Sequence, residues 1–272
     1  MHHLLLASYA PSLINFRGPL IRDLRAAGHR VSVGAPDISA GLRARLEAMG
    51  AEVHETPLRR TGIGILADLR YGRALHRLMR RIRPDIVLTY TIKPNIWGAF
   101  AASRAGVPSV AMVTGLGYAF TDGGTRSLRQ RLVRGVARRL YRAATRRNRR
   151  VIFQNPDDRD DFLKQGCLAD PSKIALVDGS GVDLKHFQLA APLSEPVFLM
   201  IARLLVSKGV REYAEAARSI RERHPQARFV LVGPEDGGPD AIDRGEVAGW
   251  VDDGVIDWLR IGGIVAERRL EA

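Results

Sequence analysis

The stretch PDIVLTYTIKPNIWGAFAASRAGVPSVAMV, residues 84–113, decides the fold class of this chain. Two runs of aliphatic residues, each introduced by a proline, flank a segment with helical spacing at 94–105. Gly106 follows that segment and is typical of a helix C-cap. A strand, a helix and a second strand in this order form a βαβ unit, which indicates a parallel sheet.

The same alternation continues on both sides of this stretch. Strands are predicted at 3–8, 30–35, 51–55, 85–90, 108–113, 151–154 and 173–177, and helices at 16–27, 39–49, 64–83, 94–105, 126–148 and 156–165. The segment QLAAPLSEP, 188–196, has no periodicity and carries two prolines, so it is predicted to be a linker. Beyond it come strands at 197–202, 228–232 and 255–258 and helices at 208–224 and 239–250. We therefore predict an α/β fold with a Rossmann-like domain at 1–188 and an incomplete second one at 195–272, since three strands are few for a doubly wound domain.

The composition is that of a globular protein with an unusual charge. Of 272 residues, 46% are hydrophobic and 26% are charged, which excludes disordered and collagen-like chains. The net charge of +13 favours an anionic partner. Most of the excess lies between Arg126 and Arg150, where there are eleven arginines and no acidic residue.

The arginine-rich segment is predicted to be an amphipathic helix, because Leu132, Val136 and Leu140 lie in one apolar stripe. Three interpretations stay open: a solvated helix face, a nucleic-acid site, and a basic helix on an anionic membrane leaflet. No nucleic-acid-binding motif is recognised, so nucleic acid is not expected as a partner. The complete lack of acidic residues favours an anionic membrane surface as the partner. The arginines assigned to it are Arg126, Arg129, Arg131, Arg134, Arg138, Arg139 and Arg142.

Several other classes of function are disfavoured. The glycines at 115 and 117 lack the third glycine of a dinucleotide fingerprint, and no P-loop, metal-ligand spacing or serine elbow is present, so no cofactor and no metal are predicted. Cys167 stands alone and is interpreted as a packing residue. Neither a signal peptide nor a membrane span is recognised, which predicts a cytoplasmic location.

The segment IARLLVSKG, 201–209, is the strongest candidate for a binding site. Arg203 ends a predicted strand and Lys208 begins the next helix, at the sheet edge where open α/β sheets bind ligands. Two cations near a helix N-terminus suit a diphosphate. From spacing alone, a surface arginine and a solvated lysine explain the pair equally well.

In this segment the chain resembles a known family. The segment ARLLVSKG is similar to the donor-diphosphate motif of family 4 glycosyltransferases, which have the two-domain GT-B fold. The likeness covers about residues 1–258 and includes a branch of bacterial enzymes that add an N-acetylhexosamine to a sugar on undecaprenyl diphosphate, of the bacillosamine-linked α-1,3-N-acetylgalactosaminyltransferase type. The blocks that carry it are NFRGPLIRDLRAAGHRVSV (15–33), PDIVLTYTIKPNIWGAFAA (84–102), VTGLGYAF (113–120), VIFQNPDD (151–158), GSGVDLKHF (179–187) and FVLVGPED (229–236).

The resemblance implies a GT-B-like fold and a retaining transfer from a UDP-sugar to a lipid-diphosphate-linked acceptor, at the inner face of the plasma membrane. It implies that Arg203 and Lys208 neutralise the donor diphosphate without a metal, and that Gly233 and Pro234 approach the nucleotide. Residues implied on the acceptor side, in a cleft between the domains, are Asn15, Arg17, Gly18, Thr91, Lys93, Asn95, Thr114, Gly115 and Gly117. Asn95 as a helix start and the glycines as turns are the alternatives.

The chain departs from the family pattern in two places. Many family members have a histidine where this chain has Thr114, so a histidine contact to the sugar is not implied. No pair of glutamates with the family's spacing follows Trp258, which leads us to expect a shortened gene and impaired turnover. The alternatives are a non-catalytic remnant that binds membrane or acceptor, and a nucleotide-sugar epimerase.

Overall fold

The computed structural model describes residues 1–59, 64–115, 128–184, 187–189, 191, 194–237 and 240–259, and only the backbone of residues 65 and 128–133. Contacts divide the chain into two compact units, Met1–Phe187 and Gln188–Ala272. Each unit is built around its own parallel sheet.

The first unit contains a seven-stranded sheet in the order β3-β2-β1-β4-β5-β6-β7, with every described pair parallel. The strands are β1 (His2–Leu6), β2 (Arg30–Ala35), β3 (Ala51–Glu55), β4 (Ile86–Tyr90), β5 (Ser109–Val113), β6 (Arg150–Phe153) and β7 (Ile174–Leu176). The helices are α1 (Ser12–Asn15), α2 (Gly18–Ala26), α3 (Ala40–Ala48), α4 (Ile65–Ile82), a π-helix (Pro94–Gly98), α5 (Ala99–Ala105), α6 (Leu128–Thr145), α7 (Pro156–Lys164) and a 3₁₀ turn (Pro171–Lys173).

Alternate residues of β1 show how the two faces of this sheet are covered. Leu5 packs in one core cluster with Ile21 of α2 and Leu46 of α3. Leu4 and Leu6 pack in another with residues of α4 and α5. Both faces are therefore buried, which is why the strands are nearly continuous aliphatic runs and why the predicted α/β class is confirmed.

The structure differs from the predicted elements mainly at helix starts. The helix predicted at 16–27 is interrupted at Arg17, and α2 begins at Gly18 because Pro19, which has no N–H, fits the first turn of a new helix. The helix predicted at 239–250 begins only at Arg244, since the Asp243 side chain accepts a hydrogen bond from the Gly245 N–H and caps it. Residues 238–239 lie outside the described residues.

The second unit contains a three-stranded parallel sheet in the order β10-β9-β8. Its elements are β8 (Val197–Ile201), a 3₁₀ turn (Val206–Lys208), α8 (Val210–Arg223), β9 (Arg228–Val232), α9 (Arg244–Asp252) and β10 (Asp257–Leu259). Phe229 and Leu231 of β9 pack in one core cluster with residues from both helices.

Gly233 follows β9 at a point where two backbones nearly touch. A Cβ atom at this position would lie 1.7 Å from the carbonyl oxygen of Ala202, which follows β8. The Gly233 N–H donates to the carbonyl of Leu259, at the end of β10. Glycine is therefore required here to let the ends of the three strands meet.

Replacing Gly233 with alanine should destabilise the second unit by about 3 kcal/mol, because the added methyl group meets backbone that cannot move aside. Amide hydrogen exchange, read separately for the two units, measures the effect. Gly237→Ala is the matched control, since a Cβ there meets nothing within 4 Å. Equal protection in the two variants would contradict the close approach.

Candidate functional site

The carboxyl ends of β1 and β4 form the switch point of the first sheet. In the sheet, β2 and β3 lie on one side of β1, and β4 to β7 lie on the other. Ser8 follows β1, Thr91 follows β4, and the Thr91 hydroxyl donates to the Ser8 hydroxyl across 2.8 Å. Ligands of open α/β sheets bind in the crevice at such a point. Thr91, implied from the family resemblance, therefore lies where a substrate site is expected.

Thr91 has a strained backbone. Its φ angle of 71° lies in the left-handed region, which β-branched residues rarely adopt. The Thr91 carbonyl accepts from the Asn95 N–H at 3.0 Å, and this bond together with the one to Ser8 holds the conformation. Strain of this kind accumulates at functional sites, where the surrounding structure fixes the geometry.

Arg17 is buried at the same edge without an acidic partner. Its side chain is 4% exposed, and its guanidinium carbon lies 4.9 Å from the centre of the Tyr90 ring. Nη1 donates to the Phe16 carbonyl at 3.1 Å and to the Ser180 hydroxyl at 3.0 Å, and Nη2 lies 2.9 Å from the Met112 sulfur. No carboxylate among the described residues contacts it, and Nε has no hydrogen-bond partner.

The electrostatics around Arg17 leave a net positive charge at the crevice. Burial lowers the pKa of Arg17, and the nearby Tyr90 raises it. The group stays charged at neutral pH because an arginine pKa is far above 7. Burial raises the pKa of Tyr90 to about 12, so this phenol is neutral and cannot balance the charge. Arg17 therefore supplies an unbalanced positive charge at this edge of the sheet, which favours an anionic ligand there.

Asn95 does not line the edge of the sheet. It is 1% exposed, and its Oδ1 accepts from the Thr89 hydroxyl at 2.7 Å. Its Nδ2 donates to the Met112 carbonyl at 2.9 Å and contacts the Tyr141 hydroxyl at 3.2 Å. The Asn95 amide thus joins β4, β5 and α6, and the acceptor contact implied for it stays a prediction.

Lys93 is engaged in a half-buried ion pair. Its Nζ lies 2.9 Å from Oδ1 of Asp68 in α4, and the two side chains are 15% and 13% exposed. Nζ also donates to the Arg59 carbonyl at 2.8 Å. The charge of Lys93 is therefore balanced, in contrast to that of Arg17.

The remaining implied acceptor residues are placed as follows. Asn15 ends α1 and is exposed, whereas Gly18 begins α2 and is buried. Thr114 and Gly115 follow β5, the first half-buried and the second exposed. Gly117 lies outside the described residues.

Three of the α6 arginines that the sequence assigns to a membrane contact carbonyls of the protein itself. The Arg134 guanidinium donates to the Gln165 side chain at 3.1 Å, and Nε of Arg138 donates to the Gln165 carbonyl. Nη1 of Arg142 donates to the carbonyls of Gly166 and Leu168. These three arginines satisfy carbonyls at and just beyond the end of α7, where the helix dipole also favours cations, and their contact with a membrane stays a prediction.

Of the other arginines assigned to the membrane, Arg139 is exposed. Arg126 and the side chains of Arg129 and Arg131 lie outside the described residues. Cys167, in the segment held by Arg142, is fully buried as a packing residue, and burial raises the pKa of its thiol to about 11.

In the second unit, the segments after β8 and β9, which carry three of the implied donor residues, lie against each other. Nη1 of Arg203 lies 2.8 Å from Oδ2 of Asp236, in a pair whose arginine side chain is 55% exposed. The Leu204 N–H donates to the Pro234 carbonyl, which fixes the loop after β9 beside Arg203. Lys208 ends the 3₁₀ turn before α8 and is exposed, with no ion pair in the described part of the chain.

Sequence reasoning missed four side chains of these sites: Ser8, Tyr90, Ser180 and Asp236. Ser8 and Tyr90 could have been found, because they lie at the ends of the first and fourth predicted strands. Ser180 and Asp236 lie in loops whose return to Arg17 and Arg203 depends on tertiary structure. Within the ranges that the structure covers, no group of three metal-ligating side chains is present.

Comparison with known proteins places the chain among sugar transferases. Residues 17–178 match a family described as glycosyl transferase 4-like domain. The chain is 29% identical over 243 residues to the N,N'-diacetylbacillosaminyl-diphospho-undecaprenol alpha-1,3-N-acetylgalactosaminyltransferase of Campylobacter jejuni, with 84% of this chain and 62% of that protein covered. It is 32% identical over 185 residues to the UDP-Gal:alpha-D-GlcNAc-diphosphoundecaprenol alpha-1,3-galactosyltransferase of Escherichia coli, with 63% and 46% covered. The chain thus spans less than two thirds of the length of either relative.

The crystal structure of Anabaena HepE in complex with UDP-glucose is similar to this structure, with a TM-score of 0.66 and 17% identity. The similarity covers 97% of this chain and 70% of that chain. It confirms the predicted GT-B-like α/β fold.

Replacing Arg138 with glutamine should lower the free energy of unfolding of the first unit by about 1.5 kcal/mol, because the α7 end loses a charge-assisted hydrogen bond. Arg139→Gln removes the same charge from an exposed position of the same helix and should change it by less than about 0.5 kcal/mol. Thermal denaturation followed by circular dichroism compares the two. Equal stability of both variants would contradict the structural role of Arg138.

Proposed function

Because the chain belongs to the glycosyl transferase 4-like domain family, we propose that it transfers an N-acetylhexosamine from a UDP-sugar to a sugar on a lipid diphosphate. The observation that carries this proposal is the similarity over 84% of the chain to a transferase that acts on an undecaprenol-diphosphate-linked sugar. The buried charge of Arg17 at the switch point of the sheet supports it, since the proposed substrates are anionic.

The donor side of the reaction needs a cation for the leaving group. When the bond between the sugar and UDP breaks, negative charge develops on the diphosphate, and preorganised cations stabilise it. Arg203 can offer two N–H groups to the phosphate oxygens, and Lys208 can add a point charge. The exposed Arg203–Asp236 pair can exchange its carboxylate for a phosphate at small cost, because surface ion pairs contribute about 1 kcal/mol or less.

The acceptor side is proposed to lie at the first unit. Arg17 meets an anionic group of the substrate, and the strained Thr91 and the exposed Asn15 and Gly115 lie at the edge that surrounds it. Gly18 starts α2 next to Arg17, so the N-terminus of this helix adds to the positive potential. Retention of configuration at the transferred sugar is part of the same proposal.

The proposed location is the inner face of the plasma membrane, where the chain is held at the surface. The lipid-linked acceptor lies in the membrane, whereas UDP-sugars are dissolved in the cytoplasm. Among the described helices, none is long and apolar enough to cross a membrane. The net charge of +13 favours contact with an anionic leaflet.

Incubating the full chain with a radiolabelled UDP-N-acetylhexosamine and an undecaprenyl-diphosphate-linked sugar tests the proposal. We expect label in the lipid fraction together with an equal amount of released UDP. The Campylobacter relative, assayed in parallel, checks that the donor and the acceptor are competent substrates.

Other outcomes of this assay would overturn the proposed function. Conversion of the UDP-sugar into an isomer, without acceptor, indicates an epimerase. Neither transfer nor hydrolysis, while the relative is active, indicates a non-catalytic chain.

Arg203→Ala should lower kcat/KM for the UDP-sugar by about 100-fold, because the developing charge on the diphosphate loses its bidentate partner. Arg218→Ala is the control, since Arg218 also forms an exposed ion pair in the second unit, with Asp253 at 3.5 Å. Steady-state kinetics of both variants measures the difference. Equal kinetics would remove Arg203 from the donor site.

Arg17→Met should separate activity from stability. Transfer should fall by about 100-fold, because the anionic group loses its cation. The free energy of unfolding should not fall and should rise by up to about 1 kcal/mol, because a buried charge without a counter-charge is replaced by an apolar side chain. Kinetics and urea denaturation test both effects, with Arg17→Lys as the charge-conserving control. A stability loss without an effect on transfer would assign Arg17 to the core.

A further inference from the structure

A groove in the first unit, with α4 on one side and the π-helix and α5 on the other, is lined by cations and aromatic rings. It has a volume of about 380 Å³. Arg73 lines it from α4, together with His76 and Arg77 one helical turn further along. Trp97, Phe100 and Arg104 line it from the π-helix and α5. The three arginines are exposed, whereas both rings are half-buried.

The charge in this groove has no counter-charge in the described structure. None of its three arginines forms an ion pair there. The single acidic residue of α4 is Asp68, which already pairs with Lys93, and neither α5 nor the neighbouring α6 contains an acidic residue. The groove therefore attracts anions and repels cations.

The two rings are held in place by their neighbours. A Cβ atom on Gly72 would come within 3.1 Å of the Trp97 ring, so glycine allows this ring to lie directly against α4. The guanidinium carbon of Arg147 lies 4.8 Å over the centre of the Phe100 ring. Each ring thus has part of its surface covered by protein and is fixed as a wall of the groove.

His76 adds a hydrogen-bonding group without a partner. Its Nδ1 is buried and makes no hydrogen bond in the described structure. His76 itself lines the groove and is half-buried, so its imidazole adds a polar group to the cationic lining.

From these observations we propose that the groove binds the phosphate headgroup of an anionic phospholipid in the bilayer. Arginines match the oxygens of a phosphodiester, and half-buried aromatic side chains are suited to the boundary between headgroups and acyl chains. Because each ring is already partly covered, stacking of successive nucleic-acid bases fits this groove less well. The membrane contact thus lies on α4 and α5, not on the α6 arginines that hold the end of α7.

The inference rests on the proposed function in one respect: a lipid-linked acceptor requires the protein to work at a membrane. Vesicle binding needs no sugar transfer. Failure of one experiment therefore leaves the other unaffected.

Flotation of the full chain with phosphatidylcholine vesicles, with and without phosphatidylglycerol, tests the proposal. The test variant carries Arg73→Gln, Arg77→Gln and Arg104→Gln. The control variant carries Arg45→Gln, Arg221→Gln and Arg223→Gln, which remove the same charge outside the groove without breaking an ion pair in the described structure. We expect the wild type to float only with phosphatidylglycerol. The partition coefficient should fall more than about tenfold in the test variant and less than about twofold in the control.

Four results would contradict separate parts of the proposal. Equal losses in both variants would mean that net charge alone, and not the groove, binds vesicles. Equal flotation without phosphatidylglycerol would overturn the anionic headgroup. Calorimetric binding of inorganic phosphate that the test variant loses would assign the groove to free phosphate, and loss of oligonucleotide binding without loss of flotation would assign it to nucleic acid.

A second measurement, fluorescence quenching by a brominated lipid, detects contact between the groove and the bilayer in the wild-type protein. Brominated phosphatidylglycerol should quench the fluorescence of the wild type but that of Trp97→Phe much less, since Trp97 is the tryptophan in the groove. Equal quenching in both proteins would place the membrane contact elsewhere.

Discussion

All strands of the first unit run in the same direction, and this constraint determines where its chemistry lies. Every loop that follows a strand emerges at one edge, and the order of the strands reverses between β1 and β4. Ser8 and Thr91 meet there although they are distant in sequence, and Arg17 packs on Tyr90, the residue before Thr91. Helices cover both faces of the sheet in the described part of the unit, so this edge is where a substrate is expected to reach it.

The arginines of this chain serve three physical roles that their number alone does not distinguish. Those on the inner side of α6 supply donors to carbonyls at and beyond the end of α7. Arg17 is buried against Tyr90 and Ser180 and keeps an unbalanced charge. The arginines of the α4–α5 groove remain exposed, with aromatic rings between them. What separates the roles is the chemistry of the neighbours: carbonyls, an aromatic ring in the interior, or solvent.

Most of the fold could be predicted from the sequence, because its signals are local. The strands at 30–35, 51–55 and 228–232 have the predicted bounds, since aliphatic runs and flanking turn residues decide them. Roles that depend on tertiary contacts could not be predicted. Asn95 looks like a polar residue at a strand end, but the π-helix turns it inward to Thr89 and Met112. Likewise, the sequence favours a membrane-facing helix for the α6 arginines and gives no sign of the carbonyls near the end of α7 that three of them contact.

Arg17 and Arg203 illustrate two ways in which a protein can present a cation to an anionic substrate. Arg203 is 55% exposed and paired with Asp236, so a phosphate must displace a carboxylate and water, both at modest cost. Arg17 lost its hydration when the chain folded, and no carboxylate of the described residues contacts it in return. An anion that reaches it meets a fixed charge in a low-dielectric setting, where the attraction is stronger than at the surface. Burial of this charge lowers the stability of the free protein. Strained or unbalanced groups of this kind are typical of functional sites, and Thr91 and Arg17 lie at the same edge of the sheet.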